Sequence, residues 1–265
     1  MTGTPARYAA LLAGTEAIAA QAAQTLCAMQ GRALDVSRKE LRDVVTDADL
    51  ASERLVLDGL RALTPGAAIL SEEAGASGPQ GGPRWIVDPL DGTVNYAAAL
   101  PWFSVTMAYQ EDGRTRVGVV HAPRAGILAR FAEGSVATVN GRTARVSTCA
   151  SLANAVVSII ITSHFTDAEV ARAAEAVRRL GTSARGVRII VSGGLEMTLV
   201  ADGQLDGYVS LKADAVSHAA AMPLVRTAGG RITGLDGRES TDDDLDRITT
   251  NGVIHDELLA CLHGL

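Results

Sequence analysis

Apolar residues recur at helical spacing at the head of the chain. Tyr8, Leu11, Leu12, Ile18, Ala22 and Leu26 predict a long helix over 5–29, with Gly31 as its stop. A second amphipathic pattern covers 50–63 and is closed by Thr64-Pro65-Gly66; Thr46 or Asp47 stands at its start as a capping residue. The period then changes. Residues 67–70, 85–87, 104–109, 116–121 and 127–131 are short apolar runs bounded by turn residues and predict strands, the last three antiparallel. Asn140-Gly141 is a hairpin signal, and 75–83 is a loop rich in Gly, Ser and Pro. From 155 onward, strands (155–161, 187–191, 207–211) alternate with helices (166–180, 194–201, 219–228), the pattern of an α/β unit. Together these predict one integrated α+β fold built from an N-terminal lobe, 1–146, and a C-terminal lobe, 147–265.

Composition narrows the function. Of 265 residues, 47% are hydrophobic, enough for a sizeable core. The formal net charge of −6 argues against nucleic acid as a partner, while leaving a small phosphorylated molecule open where a metal supplies positive charge. Cys27, Cys149 and Cys261 are widely spaced and unpaired, which fits a reducing cytoplasm. No signal-peptide pattern and no apolar run of membrane-spanning length is present, so neither export nor a membrane partner is expected.

The chemistry lies where strands end. The run Trp85-Ile86-Val87 stops at Asp88, followed by Pro89-Leu90-Asp91-Gly92-Thr93-Val94-Asn95-Tyr96, and 67–70 likewise runs into Ser71-Glu72-Glu73. Two carboxylates as close as Asp88 and Asp91 repel each other unless a cation lies between them, and oxygen-only ligands suit a hard ion such as Mg²⁺. Ser192-Gly193-Gly194 precedes a helix and suits either an anion or close packing.

The segment 88–96 follows the first signature of the inositol monophosphatase family, Asp-Pro-Leu/Ile-Asp-Gly-Thr-x-Asn-Tyr/Phe, without exception. With Glu72-Glu73, Thr46-Asp47, Gly118-Val119-Val120, Asn140-Gly141 and the stretch 192–208, the chain resembles that family of Mg²⁺-dependent, lithium-sensitive phosphatases over nearly its whole length. The resemblance implies a layered αβαβα sandwich and a homodimer. It implies Mg²⁺ held by Glu72, Asp88, Asp91 and the Leu90 carbonyl. It also implies a water oriented by Thr93 with Asp47 or Glu72, and phosphate held by the N–H groups of Gly92 and Thr93. Ser192 matches a pocket residue, and Lys39 falls in the loop that relatives fold over the metals.

The second signature, Trp-Asp-x-Ala-Ala/Gly-Ala, has decayed. Counting back from Gly229-Gly230 sets Val216-Ser217 in place of Trp-Asp, so a hydroxyl replaces the carboxylate expected on the second metal. Asp214 and His218 flank this position as compensating candidates. Ser210 stands where inositol-preferring members carry an acid. Three readings follow: hydrolysis of a small phosphate monoester (a cyclitol, sugar or nucleotide phosphate), another reaction on a phosphorylated or cyclitol-like molecule, or a binding or regulatory protein on an enzyme fold.

Overall fold

The structure, a computed structural model, describes residues 4–31, 36–38, 44–212, 214–242, 244 and 246–265. Lys39 lies outside them. Two helices, Thr4–Met29 and Asp47–Leu63, cover one face of an eight-stranded sheet whose strands run from Ala68–Ser71 to Arg142–Thr143. Alternation along the strands explains the layering. Trp85, Val87, Val105, Met107, Val117 and Val119 pack against Tyr8, Leu11, Val56 and Leu60 of those helices. Their neighbours Ile86, Ala108 and Val120 face the other way, onto Leu195, Met197, Leu224 and Val225. These belong to helices Gly193–Ala201 and Met222–Thr227, the central layer. A five-stranded mixed sheet follows, and its far face packs Val157, Ile159, Val209 and Ile248 against Leu180 and Leu258 of helices Asp167–Ser183 and His255–Leu262. The five layers are an αβαβα sandwich of the α+β class. Among the described residues, no helix is long and apolar enough to cross a membrane.

Three departures from the sequence reading bear on the site. The strand expected over 187–191 is Gly186–Arg188, which leaves Val191 outside it in the turn before Ser192. The strand expected to end at Val87 runs on as Arg84–Asp91. The helix expected over 219–228 is two pieces, Ala215–His218 and Met222–Thr227, with Pro223 in the first turn of the second. Proline lacks a backbone N–H and is tolerated only where that donor is not needed, so it marks a new start. Gly118 is demanded by this packing: a Cβ there would lie 2.6 Å from the Ala220 carbonyl oxygen.

Candidate active site

A bulge brings the two signature acids together. In a regular strand, residues three apart point to opposite faces. Here Asp88 pairs with Thr106 and Asp91 with Ser104, so the strand carries one extra residue between them. Pro89 sits inside that irregularity, where its missing N–H breaks no ladder bond. Asp88 and Asp91 therefore line one pocket, with Glu72, Glu73, Leu90, Gly92, Thr93, Asp214 and Ser217.

Asp88 Oδ1 accepts from the Leu90 N–H at 3.1 Å and Oδ2 from the Ser217 hydroxyl at 2.9 Å. Asp91 is held more completely. Its Oδ1 accepts from Gly193 N–H at 3.0 Å; its Oδ2 accepts from the Ser104 and Ser192 hydroxyls at 2.8 and 2.7 Å and from Gly194 N–H at 3.0 Å. The Ser192-Gly193-Gly194 turn does bind an anion, and that anion is Asp91 itself. Close packing holds as well: a Cβ on Gly194 would lie 2.5 Å from Thr106 Cγ2.

Burial, then the charge of Glu72, pushes the Asp88 carboxyl well above its ordinary range. Asp91 is raised by burial, against the pull of its serine hydrogen bonds. Glu72 is pushed up to about 7, first by desolvation and then by the charges of Asp214, Asp91 and Glu73, while its hydrogen bond with Asp88 opposes the rise. The Glu72 side chain is nonetheless exposed to solvent at the pocket mouth, which screens and reduces the effect of desolvation.

Helix Asp47–Leu63 braces the site from below. Its inward face is apolar at Val56, Leu57 and Leu60 but polar at Asp49, Ser52 and Glu53. Asp49 Oδ1 lies 3.1 Å from the Thr93 hydroxyl, which is also 3.0 Å from the Leu90 carbonyl. Ser52 donates to the Pro89 carbonyl at 2.7 Å. Glu53 Oε1 accepts from the Ser71 hydroxyl and the Ala74 N–H, both at 2.8 Å, and so fixes the turn that carries Glu72 and Glu73. The partner of Thr93 is thus Asp49 and not Asp47, which is exposed on the first turn. Helical geometry decides between them: Asp49 shares a face with Ser52, Glu53 and Val56, and Asp47 does not.

On the opposite wall, Asp214 caps the short helix Ala215–His218, its Oδ1 accepting from the Ser217 N–H at 2.7 Å. His218 turns away from the pocket. Its ring is buried, with Nε2 2.9 Å from the Tyr208 hydroxyl and Nδ1 2.8 Å from Arg247 Nη1, and burial together with Arg247 lowers its pKa to about 4. Ser210 is fully buried and does not line the pocket. Neither residue faces the space where a metal or substrate would sit, because the strand and helix that carry them point them into the central layer. The outer wall is Val94, Ile160, Thr162, Ser163, His164 and Val191. Lys212 donates to the His164 carbonyl at 2.8 Å and to Glu169 at 3.1 Å, tying this turn to the segment before Asp214.

Gly92 has φ +91°, and a Cβ there would meet the Trp102 carbonyl oxygen at 2.8 Å. Val191, at φ +64°, is a β-branched residue in the left-handed region, a strain on the order of 1–3 kcal/mol.

The donor chemistry fits a hard cation: buried carboxylates and a carbonyl, with no lysine or arginine among the described residues lining the pocket. The ligands are not pre-converged; among the described residues no three of His, Cys, Asp and Glu stand close enough to hold an ion. Asp88 and Asp91 are instead turned onto their own hydrogen-bond donors.

The sequence matches the inositol monophosphatase family over residues 8–264. It is 35% identical over 230 residues to the fructose-1,6-bisphosphatase/inositol-1-monophosphatase of Thermotoga maritima, covering 86% of each chain. It is 34% identical over 208 residues to Nus factor SuhB of Pasteurella multocida, covering 78% of each. The crystal structure of the extragenic suppressor protein suhB from Bartonella henselae superposes with a TM-score of 0.91 at 28% identity, covering 96% of this chain and 99% of that one. The five-layer fold, the intact Asp88–Tyr96 signature and these matches together show that the chain belongs to the inositol monophosphatase family.

Proposed function

We propose that the chain is a Mg²⁺-dependent hydrolase of small phosphate monoesters. The observation that carries this is the Thr93 hydroxyl, set between Asp49 and the Leu90 carbonyl beside the Glu72–Asp88 pair. Glu72, Asp88 and the Leu90 carbonyl would hold one ion, and Asp91 with Asp214 a second and weaker one; Ser217 offers only a neutral hydroxyl there. When bound, Mg²⁺ supplies charge neutralisation at the phosphoryl oxygens and acidifies water. The protein's own groups do the rest. The N–H groups of Gly92 and Thr93, at the start of helix Thr93–Ala97, hold the phosphate oxygens. Thr93 orients the water for in-line attack. As the water oxygen bonds to phosphorus and the ester P–O bond breaks, its proton passes to Thr93, which gives its own to Asp49. The leaving alkoxide takes a proton from solvent through the open mouth of the pocket. The same reading carries a homodimer in a reducing cytoplasm, with which free Cys27, Cys149 and Cys261 agree.

Phosphate release from sugar, cyclitol, nucleotide and glycerol monophosphates, titrated with Mg²⁺, tests the reading. Turnover that needs millimolar Mg²⁺ and stops with chelator is the expected result. No release from any ester by folded protein overturns it.

A second reading rests on Ser217 and on relatives named Nus factor SuhB. In it, the fold acts through a macromolecular partner and turnover is secondary. Asp88→Asn separates the two: it abolishes turnover under the first and leaves partner capture in chelator intact under the second.

A further inference from the structure

The wall facing the acids poses a question that the phosphatase reading leaves open: what the pocket accepts beyond the phosphate. Ser210 does not reach it, and Val94, Ile160 and Val191 give an apolar stretch to a wall that otherwise carries Thr162, Ser163 and His164. The pocket is small, about 130 Å³, against the roughly 300–1,000 Å³ of sites that enclose a drug-sized ligand. Val191 stands in this wall at φ +64°. Strained backbone of this kind persists only where the surroundings over-determine it. Here they do. Asn95 Nδ2 donates to the carbonyls of Ile190 at 2.7 Å and Trp102 at 2.8 Å, and lies 3.2 Å from that of Val191. The next residue, Ser192, is fixed on Asp91. The turn is required by the site, but the side chain on it is not, since glycine adopts this backbone without a steric penalty. What valine adds is an isopropyl group, half-buried against the core and forming part of the pocket wall.

We infer that Val191 is a specificity-determining residue: it narrows the pocket against polyhydroxylated rings and selects phosphate esters of slender, open-chain alcohols. The inference rests on the phosphoester reading for its ligand class, yet it is decided by binding and does not depend on turnover. A rigid ring is wide enough to press some of its hydroxyls against Val94, Ile160 and Val191 while others meet Thr162, Ser163 and His164, whereas a short flexible chain presents a narrow edge to the apolar residues and can turn its few hydroxyls toward the polar ones. Removing a few carbon atoms from such a wall changes discrimination by about 10–200-fold.

The test is calorimetric titration of sn-glycerol 3-phosphate and myo-inositol 1-phosphate into the full chain, with Ca²⁺ in place of Mg²⁺ so that the esters survive. Wild type, Val191→Ala and Val191→Gly are compared, with folding verified by circular dichroism. The expected result is a preference for the glycerol ester of roughly tenfold or more in wild type, smaller in Val191→Ala and smallest in Val191→Gly. An unchanged ratio across the series overturns the inference, and so does binding of neither ester. If the ratio shifts as expected but no phosphate is released with Mg²⁺, the hydrolase reading fails and the role of Val191 stands. If phosphate is released while the ratio stays flat, the reverse holds.

Discussion

The Ser217 hydroxyl donates to Asp88 Oδ2 at 2.9 Å, so the position expected to carry a metal ligand holds a hydrogen-bond donor to one. In the metal-free protein this is a stabilising exchange, because a buried carboxylate gains a donor where it would otherwise face a further negative charge. Ser217→Asp reverses the exchange. Losing the donor and adding a charge costs about 1–3 kcal/mol, or a fall of roughly 2–12 °C in the melting temperature of a chain this size. With saturating Mg²⁺ the new carboxylate becomes a ligand and the gap to wild type closes or inverts. Thermal melts with chelator and with Mg²⁺ measure both arms; equal shifts in the two conditions would mean that residue 217 does not face the ion.

Asp49 and Asp47 share the first turn of one helix and differ in what they touch. Asp49 is buried against Thr93, and Asp47 is exposed. Asp49→Asn keeps the shape and removes the proton acceptor, so kcat falls by about 10²-fold or more, the usual weight of a general base. Asp47→Asn stays within about twofold, since it loses at most a favourable charge at a helix N-terminus. Steady-state rates on one phosphate ester decide it. Similar losses in both variants would remove Asp49 from the proton path.

The contrast between these two acids also shows what a sequence carries. The segment Asp88–Tyr96 was legible because its residues are contiguous and their spacing is fixed by one turn. Asp49 was hidden by Thr46-Asp47, a plausible cap directly before it. The signal that finds it is periodicity: Asp49, Ser52 and Glu53 interrupt the apolar stripe completed by Val56, Leu57 and Leu60. Ser210 and His218 failed for another reason. Counting along a motif gives a residue's place in the chain, but not whether the strand or helix there turns it toward the pocket. The succession of helices and strands, by contrast, followed from period, while their stacking into five layers followed from the family resemblance. Local backbone chemistry overrode the period at Pro223, at the Asp88–Asp91 bulge and at the left-handed Val191, where the strand expected over 187–191 ends at Arg188.

Asp91 accepts four hydrogen bonds, two of them from backbone N–H groups that cannot reorient. In Asp91→Asn, either orientation of the amide sets its NH₂ against the Gly193 or the Gly194 N–H. A frustrated buried donor costs about 1–3 kcal/mol. The variant should therefore melt several degrees below wild type even in chelator, where no metal effect operates. A metal-free melting temperature equal to that of wild type would show that the N-terminus of helix Gly193–Ala201 does not depend on this carboxylate.

Glu72 makes the metal-free protein sensitive to pH in a direction set by the sign of its shift. Its carboxyl titrates near 4.5 in the unfolded chain and is pushed up to about 7 in the fold, by desolvation first and by Asp214, Asp91 and Glu73 next. The folded state therefore binds the proton more tightly than the unfolded state. Below about 4.5 both forms are protonated and the fold carries no penalty from this group. Between about 4.5 and 7 the unfolded chain loses its proton first, so stability falls as pH rises, and above about 7 the full penalty is present. Asp88, also raised, acts in the same direction. The solvent exposure of Glu72 reduces the size of the effect but not its sign. Melts in chelator should therefore decline from pH 5 to pH 8, and Glu72→Gln should flatten part of that decline. A divalent ion replaces the proton as the partner of the carboxylates, so Mg²⁺ affinity should tighten across the same range and saturating Mg²⁺ should offset the loss. A metal-free melting temperature that rises from pH 5 to pH 8, in wild type and Glu72→Gln alike, would mean that Glu72 is already ionised in the folded protein and that the acids of this pocket do not wait for a cation.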